Sequence, residues 1–226
     1  IFKRRFAQHN GNVEGGYSYR YDAIKFSHKV FAIVGGAEIA SAAGGKKLLW
    51  LDADTFTTET PDVEAIFALE GDVAYLGRTA INYAETSYML FNLESARAAN
   101  LIKNLVDLYT TGELFNYKEW HDGFLFSRLL TIHEQQGLLA TNLTPSCPDL
   151  DAFHTAPIGK CMTHLKGNKK GEPRLQQLKV TPRDCVPDQS LMDNIRSNTA
   201  AFKEWVLHCW HHSGTAVVAS AGPSLL

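Results

Sequence analysis

The chain has 226 residues, of which 45% are hydrophobic and 20% charged, with a formal net charge of −2. That composition supports one sizeable core and part of a second, and the scattered basic residues exclude the footprint of a nucleic-acid partner. No apolar run reaches the roughly 18 residues that cross a bilayer, so no transmembrane segment is expected.

The opening stretch F-K-R-R-F-A-Q-H-N is polar and basic, unlike the first strand of an α/β domain, so the chain reads as an internal piece of a longer protein. Residues 21–34 place apolar side chains at helical spacing, with Asp22 as N-terminal cap and Gly35-Gly36 as the stop. Residues 48–51 (L-L-W-L) form a continuous apolar string, the pattern of a strand covered on both faces. A short helix is expected from about Pro61 and a strand over residues 72–77. Residues 83–93 read as a loop entering a strand. An amphipathic helix over residues 95–108 is followed by Gly112, and a further helix starts near residues 120–122. Residues 138–143 read as a strand, and residues 161–167 as a strand end and loop. A helix is expected at residues 202–211, then a short apolar strand running into Gly222-Pro223-Ser224. Alternation of this kind indicates an α/β layer architecture. Cys147, Cys161, Cys185 and Cys209 form no Cys-x-x-Cys pair, which argues against a zinc ribbon and for reduced thiols in a cytoplasmic protein.

Asp52 and Asp54 follow the 48–51 strand. Side chains alternate along an extended chain, so residues two apart point the same way, and two carboxylates held close require something positive to face. Three chemistries fit. A haloacid-dehalogenase-type phosphatase would use Asp52 as nucleophile and Asp54 as acid and base, but Phe56 stands where that pattern has Thr or Val, and no later acidic pair for magnesium is evident. An acidic turn could simply cap the next helix. A GT-A glycosyltransferase would use the pair to hold a divalent ion against a sugar nucleotide's diphosphate, a task that suits oxygen ligands and a hard cation.

Downstream, C-M-T-H-L-K-G-N-K-K contains His164, Gly167 and Lys170 in a His-x-x-Gly-x-x-Lys pattern. An imidazole can complete a metal's coordination, a glycine lets the backbone approach phosphates, and an ammonium supplies point charge to them. With Asp52 and Asp54 this gives a third ligand and an anion clamp. His208 and His212 stand four apart on the expected 202–211 helix and its edge, with no acid nearby to complete a second metal site.

The order L-D-A-D-T, Y-M-L-F-N-L, W-H-D, H-L-K-G-N-K-K resembles the glycogenin-like and lipopolysaccharide-galactosyltransferase retaining enzymes over about residues 17–171. The resemblance implies the GT-A (nucleotide-diphospho-sugar transferase) fold, a mixed sheet with flanking helices, here with its N-terminal part missing. It implies Mn²⁺ or Mg²⁺ on Asp52, Asp54 and His164, and Gly167 and Lys170 at the donor diphosphate. Lys25, which shares a helix face with Lys29, falls closest to the family's donor-binding arginine. Glu85, Thr86 and Ser87 replace an Asn-Ala-Gly segment lining the donor sugar, ahead of Met89-Leu90-Phe91-Asn92. Glu85 is then expected to bond a sugar hydroxyl or the acceptor, and Asn92 to belong to the donor site. Asp122 matches an aspartate beside the reacting centre, the alternative role being a helix cap.

The tail V-V-A-S-A-G-P-S-L resembles the first strand and turn of MptE-like pterin pyrophosphokinase-type domains, and also the opening of some bacterial sialyltransferases. The expected organisation is a partial GT-A domain over residues 1–185, a helical linker over 186–213, and the start of a second α/β domain over 214–226. The expected activity is metal-dependent hexosyl transfer from a UDP-sugar to a glycan, lipid or protein acceptor. The rival expectation is a non-catalytic nucleotide-sugar or glycan-binding module of the same fold.

Overall fold

The structure is a computed structural model describing residues 1–68, 70–79, 81, 83–147 and 151–165, and the backbone of 216–220. In chain order the elements are α1 (Phe2–Arg5), β1 (Asn10–Val13), β2 (Gly16–Asp22), α2 (Ala23–Ala42), β3 (Lys47–Asp52), β4 (Thr55–Thr57), α3 (Val63–Phe67), β5 (Val73–Leu76), β6 (Glu85–Asn92), α4 (Ala96–Thr111), α5 (Asp122–Gln135), β7 (Ala140–Asn142), α6 (Ala152–Thr155), β8 (Met162–His164) and β9 (Ala216–Ser220). Two 3₁₀ turns, Glu113–Asn116 and Pro157–Lys160, complete them. The fold is α/β, with a mixed five-stranded sheet in the order β7-β5-β6-β3-β9. β6 runs antiparallel to β3 and β5, while β7 and β9 run parallel to their neighbours. Among the described residues, no helix is long and apolar enough to cross a membrane.

Strand alternation divides the core in two. Leu48 and Trp50 of β3 and Met89 and Phe91 of β6 pack with Val30 and Ile33 of α2, Leu101 and Leu105 of α4, and Leu125 and Phe126 of α5. Leu49 and Leu51, with Tyr88 and Leu90, face the other way onto Phe153, Ile158 and Met162. Each fully buried side chain of this size stabilises the fold by about 1.5–3 kcal/mol, which is why L-L-W-L in β3 and Y-M-L-F in β6 read as apolar strings.

Local chemistry sets the helix limits. Asp22 caps α2, accepting from the Lys25 backbone N–H at 2.8 Å. The helix does not stop at Gly35-Gly36, as the sequence suggested, but runs on to Ala42. Glycine in a helix costs only about 1 kcal/mol relative to alanine, and the turns beyond it bury Ala40 against the sheet side. The actual stop lies at Gly44, which has φ 77°, with the Gly45 N–H donating to the Ala40 carbonyl at 2.8 Å. Ser95 caps α4 through the N–H groups of Arg97 and Ala98, and Gly112 closes it in the left-handed conformation. The β1–β2 hairpin was not foreseen; its signal was Glu14-Gly15 between Val13 and Gly16, a two-residue turn with Gly15 at φ 92°.

The apolar segment Ala216–Ser220, which the sequence reading assigns to the opening of a second domain, has its backbone hydrogen-bonded along β3, from Leu48↔Ala216 to Asp52↔Ser220. An unpaired strand edge accepts an apolar extended segment from any part of a chain. The helix expected at 202–211, the 186–213 linker, His208 and His212 lie outside the described residues, as do Gly167 and Lys170.

Candidate metal centre

Strands β7, β5, β3 and β9 share one direction, and β6 opposes them, so the carboxyl ends of β3 and β5 meet the amino end of β6. Ligand sites of open α/β sheets form at this edge. Asp52 closes β3, and Glu85 and Thr86 open β6. Asn92 is at the other end: it pairs with Lys47, the first residue of β3. Five residues of strand, about 17 Å, separate it from Asp52, and its amide is used on Gly71 and the Glu94 N–H. Asn92 therefore does not belong to the site; an antiparallel strand puts its two ends on opposite edges.

β3 stops at Asp52, and the chain turns directly into β4. β4 pairs antiparallel with β8, placing His164 opposite Thr55, and the Leu165 N–H donates to the Asp54 carbonyl at 3.0 Å. This short ribbon returns His164 to the acidic pair. His164 Nε2 lies 3.0 Å from Asp54 Oδ1 and 3.9 Å from Asp52 Oδ2. One ligand atom from each of the three residues lies within 4.8 Å of the others. Two carboxylates and an imidazole offer oxygen and nitrogen ligand atoms of the kinds that bind divalent metal ions, so the residues fit a divalent cation. The capping alternative does not hold, since α3 is capped by Asp62, whose carboxylate accepts from the Ala65 N–H.

Asp52 faces Lys29 as well as His164. Leu48, Trp50 and Asp52 share a strand face, so the Asp52 carboxylate points towards α2, where Lys29 Nζ lies 2.7 Å from Oδ1. Trp50 Nε1–H donates to the same oxygen at 2.9 Å. Lys29 also lies 2.6 Å from Asp122 Oδ2 and donates to the Thr86 carbonyl at 3.2 Å. Burial would pull the Lys29 pKa down, but the charges of Asp122 and Asp52 and the hydrogen bonds to them raise it well above the usual lysine range. Asp122 is the mirror case: burial would raise its pKa, yet Lys29, the His121 side chain and the Thr86 hydroxyl hold it low and ionised.

Asp122 is not a helix cap. His121 caps α5, accepting from the Phe124 N–H through Nδ1, and Asp122 is the first helical residue. Gly123 lets α5 come this close, because a Cβ there would lie 2.9 Å from the Ala84 carbonyl oxygen. The approach brings Asp122 Oδ2 to 2.6 Å from the donating Thr86 hydroxyl.

β6 splits its two opening residues between the two sides. Its register against β5 shifts between Tyr75 and Leu76, a bulge of the kind that re-aims side chains beside a site. Thr86 therefore turns to Lys29 and Asp122, although Tyr88 and Leu90, of the same parity, pack on the opposite face. Glu85 turns instead to His164, whose Nδ1 is 3.1 Å from Glu85 Oε1. Burial would lower the His164 pKa, but hydrogen bonds to Asp54 and Glu85, with the Asp54 and Asp52 charges, raise it to about 9. Without metal, the ring is an imidazolium filling the space between the carboxylates.

The sequence placed Asp52, Asp54, Glu85, Asp122 and His164 at one site, and the structure brings these five together. It does not bring Lys25, whose backbone serves the α2 cap and whose ammonium lies 5.7 Å from the Phe26 ring centroid. The cation is Lys29, one helical turn on. Its signal was a lysine four residues before Ile33 within the buried stripe of α2. Compared with known proteins, the chain matches no family model, no curated protein and no solved structure.

Proposed function

We propose that this chain is a GT-A glycosyltransferase domain that transfers a hexose from a UDP-sugar to an acceptor in a Mn²⁺- or Mg²⁺-dependent reaction. The observation that carries the reading is the return of His164, through the β4–β8 ribbon, to 3.0 Å from Asp54 at the carboxyl edge of the sheet. Asp52, Asp54 and His164 would hold the ion, and a divalent cation there supplies charge against the negative charge that builds on a leaving diphosphate. Lys29 holds Asp52 and Asp122 on either side of one ammonium and orients both. Asp122, kept ionised, offsets the positive charge that develops on an anomeric carbon as its bond to the leaving group loosens. Gly167 and Lys170 enter on the family resemblance alone, as the clamp on the diphosphate.

Calorimetric titration of UDP into the full-length protein, with and without Mn²⁺, tests the reading. UDP affinity should require Mn²⁺ and fall by about tenfold or more in Asp54→Asn, since loss of even a ligand's supporting partner has an effect of that size. Slow UDP release from UDP-glucose or UDP-galactose should accompany it. Equal UDP binding in the presence and absence of metal sinks the reading, and phosphate release from simple phosphomonoesters moves it to a phosphatase.

A further inference from the structure

Glu85 is 3% exposed and sits beneath the His164 ring, on the side away from Asp54. A carboxylate buried to that extent cannot meet a sugar hydroxyl or an acceptor without first giving up its present partners. Glu85 Oε1 accepts from the Ser87 hydroxyl at 2.9 Å and lies 3.1 Å from His164 Nδ1. Ser87 is itself 2% exposed, and the Phe153 ring lies 5.7 Å from the imidazole, centroid to centroid. The ring is thus fixed on three sides: by its strand pairing with Thr55, by Phe153 and by Glu85.

We infer that Glu85 is a positioning residue for a metal-binding histidine, fixing the His164 Nδ1–H so that Nε2 is the nitrogen presented to a divalent cation shared with Asp52 and Asp54. A histidine that binds metal through one nitrogen generally donates its other N–H to a carboxylate or carbonyl, which sets the tautomer and raises the ring's basicity as a ligand. Here the bulge at the start of β6 directs Glu85 to that task and sends its neighbour Thr86 to Asp122. The glutamate therefore acts through His164 and touches no substrate. The inference rests on the transferase reading only in needing the metal site to be real.

The test is titration of Mn²⁺ alone into the full-length wild type, Glu85→Gln and Ser87→Ala. Glutamine keeps the volume and an acceptor oxygen but loses the charge, so Mn²⁺ affinity is expected to fall by about 10- to 100-fold. Ser87→Ala, which frees Glu85 on one side and removes little volume, should weaken Mn²⁺ in the same direction by a smaller factor. It keeps the question answerable if the glutamine variant does not fold. A second readout needs no metal: at a pH high enough for the ring to be neutral, ¹⁵N NMR of His164 should report the Nδ1–H tautomer in the wild type and a mixture of tautomers in Glu85→Gln. If both variants bind Mn²⁺ as the wild type does, or if Glu85→Gln changes only the melting temperature, the inference is overturned while the transferase reading stands. If the wild type itself binds no Mn²⁺, the transferase reading falls and takes this one with it.

Discussion

Asp72 and Asp52 occupy opposite edges of the sheet, before β5 and at the end of β3, and the groups that hold them differ in kind. Asp72 accepts from Arg97 Nε at 2.7 Å, from the Leu139 N–H at 2.8 Å and from the Ser95 hydroxyl at 2.5 Å. These donors tie the starts of α4 and β7 to the start of β5. Burial would raise the Asp72 pKa, but the hydrogen bonds from Arg97, Leu139 and Ser95 keep it low. The Asp52–Asp54 end is more open, with side chains 21% and 28% exposed, and Asp54 has as a partner an imidazole whose proton can leave. A carboxylate tied by donors on neighbouring elements is a staple; one facing a replaceable cation is a candidate binding site. Buried charge alone does not separate the two.

The largest test of that distinction is Lys29→Met. It leaves Asp52 and Asp122 facing each other across an apolar side chain, and breaking a buried pair in this way costs about 3–5 kcal/mol. The deficit should be greatest near neutral pH and shrink on acidification, because Asp122 can then take up a proton; urea unfolding at pH 7 and pH 5 reads it. A constant deficit across that range would mean that Lys29 matters for packing and not for charge.

Next in size is the pH response of the metal-free protein. His164 has a folded pKa of about 9 against an ordinary value of about 6.5, so its contribution is complete below about 6.5 and is lost as pH rises through about 9. The difference amounts to at most about 3 kcal/mol. The melting temperature should fall over that window, and His164→Gln should flatten the fall. Saturating Mn²⁺ should flatten it too, since a metal-bound ring carries no Nε2 proton.

The smallest effect belongs to the staple. Asp72→Asn weakens a charge-assisted bond and misaligns the Leu139 donor, for about 2 kcal/mol, because Arg97 is 52% exposed and water can re-solvate it. Mn²⁺ affinity should not change. A change would mean that the two edges are coupled through β5 and β6, and the contrast between them would lose its sense.

Most of the frame was legible because it rests on short-range rules. The L-L-W-L string, the Asp22 cap and the amphipathic helix ahead of Gly112 each follow from a few adjacent residues. The His164 return was legible too, since imidazole, glycine and lysine at that spacing share one chemistry with an acidic pair. What escaped the sequence depends on tertiary placement. Gly35-Gly36 looked like a stop because propensity cannot weigh what α2 buries beyond it. Lys25 and Lys29 share a helix face, and only the depth of α2 on the sheet selects the second. Asn92 enters the site on the family resemblance alone, and strand direction decides which end of β6 is near Asp52. The roles of Glu85 and Thr86 depend on a bulge that no residue pattern in β6 announces.

The pairing of Leu48–Leu51 with Ala216–Ala219 joins two strands that lie far apart along the chain. Contacts so distant along the chain form slowly, after nearer ones have closed their loops. While the polypeptide is still on the ribosome, β3 can already lie against β6, but its other flank stays open beside Asp52. Until β9 is made, the edge of β3 beside Asp52 carries unpaired backbone N–H and C=O groups, a template for another extended segment.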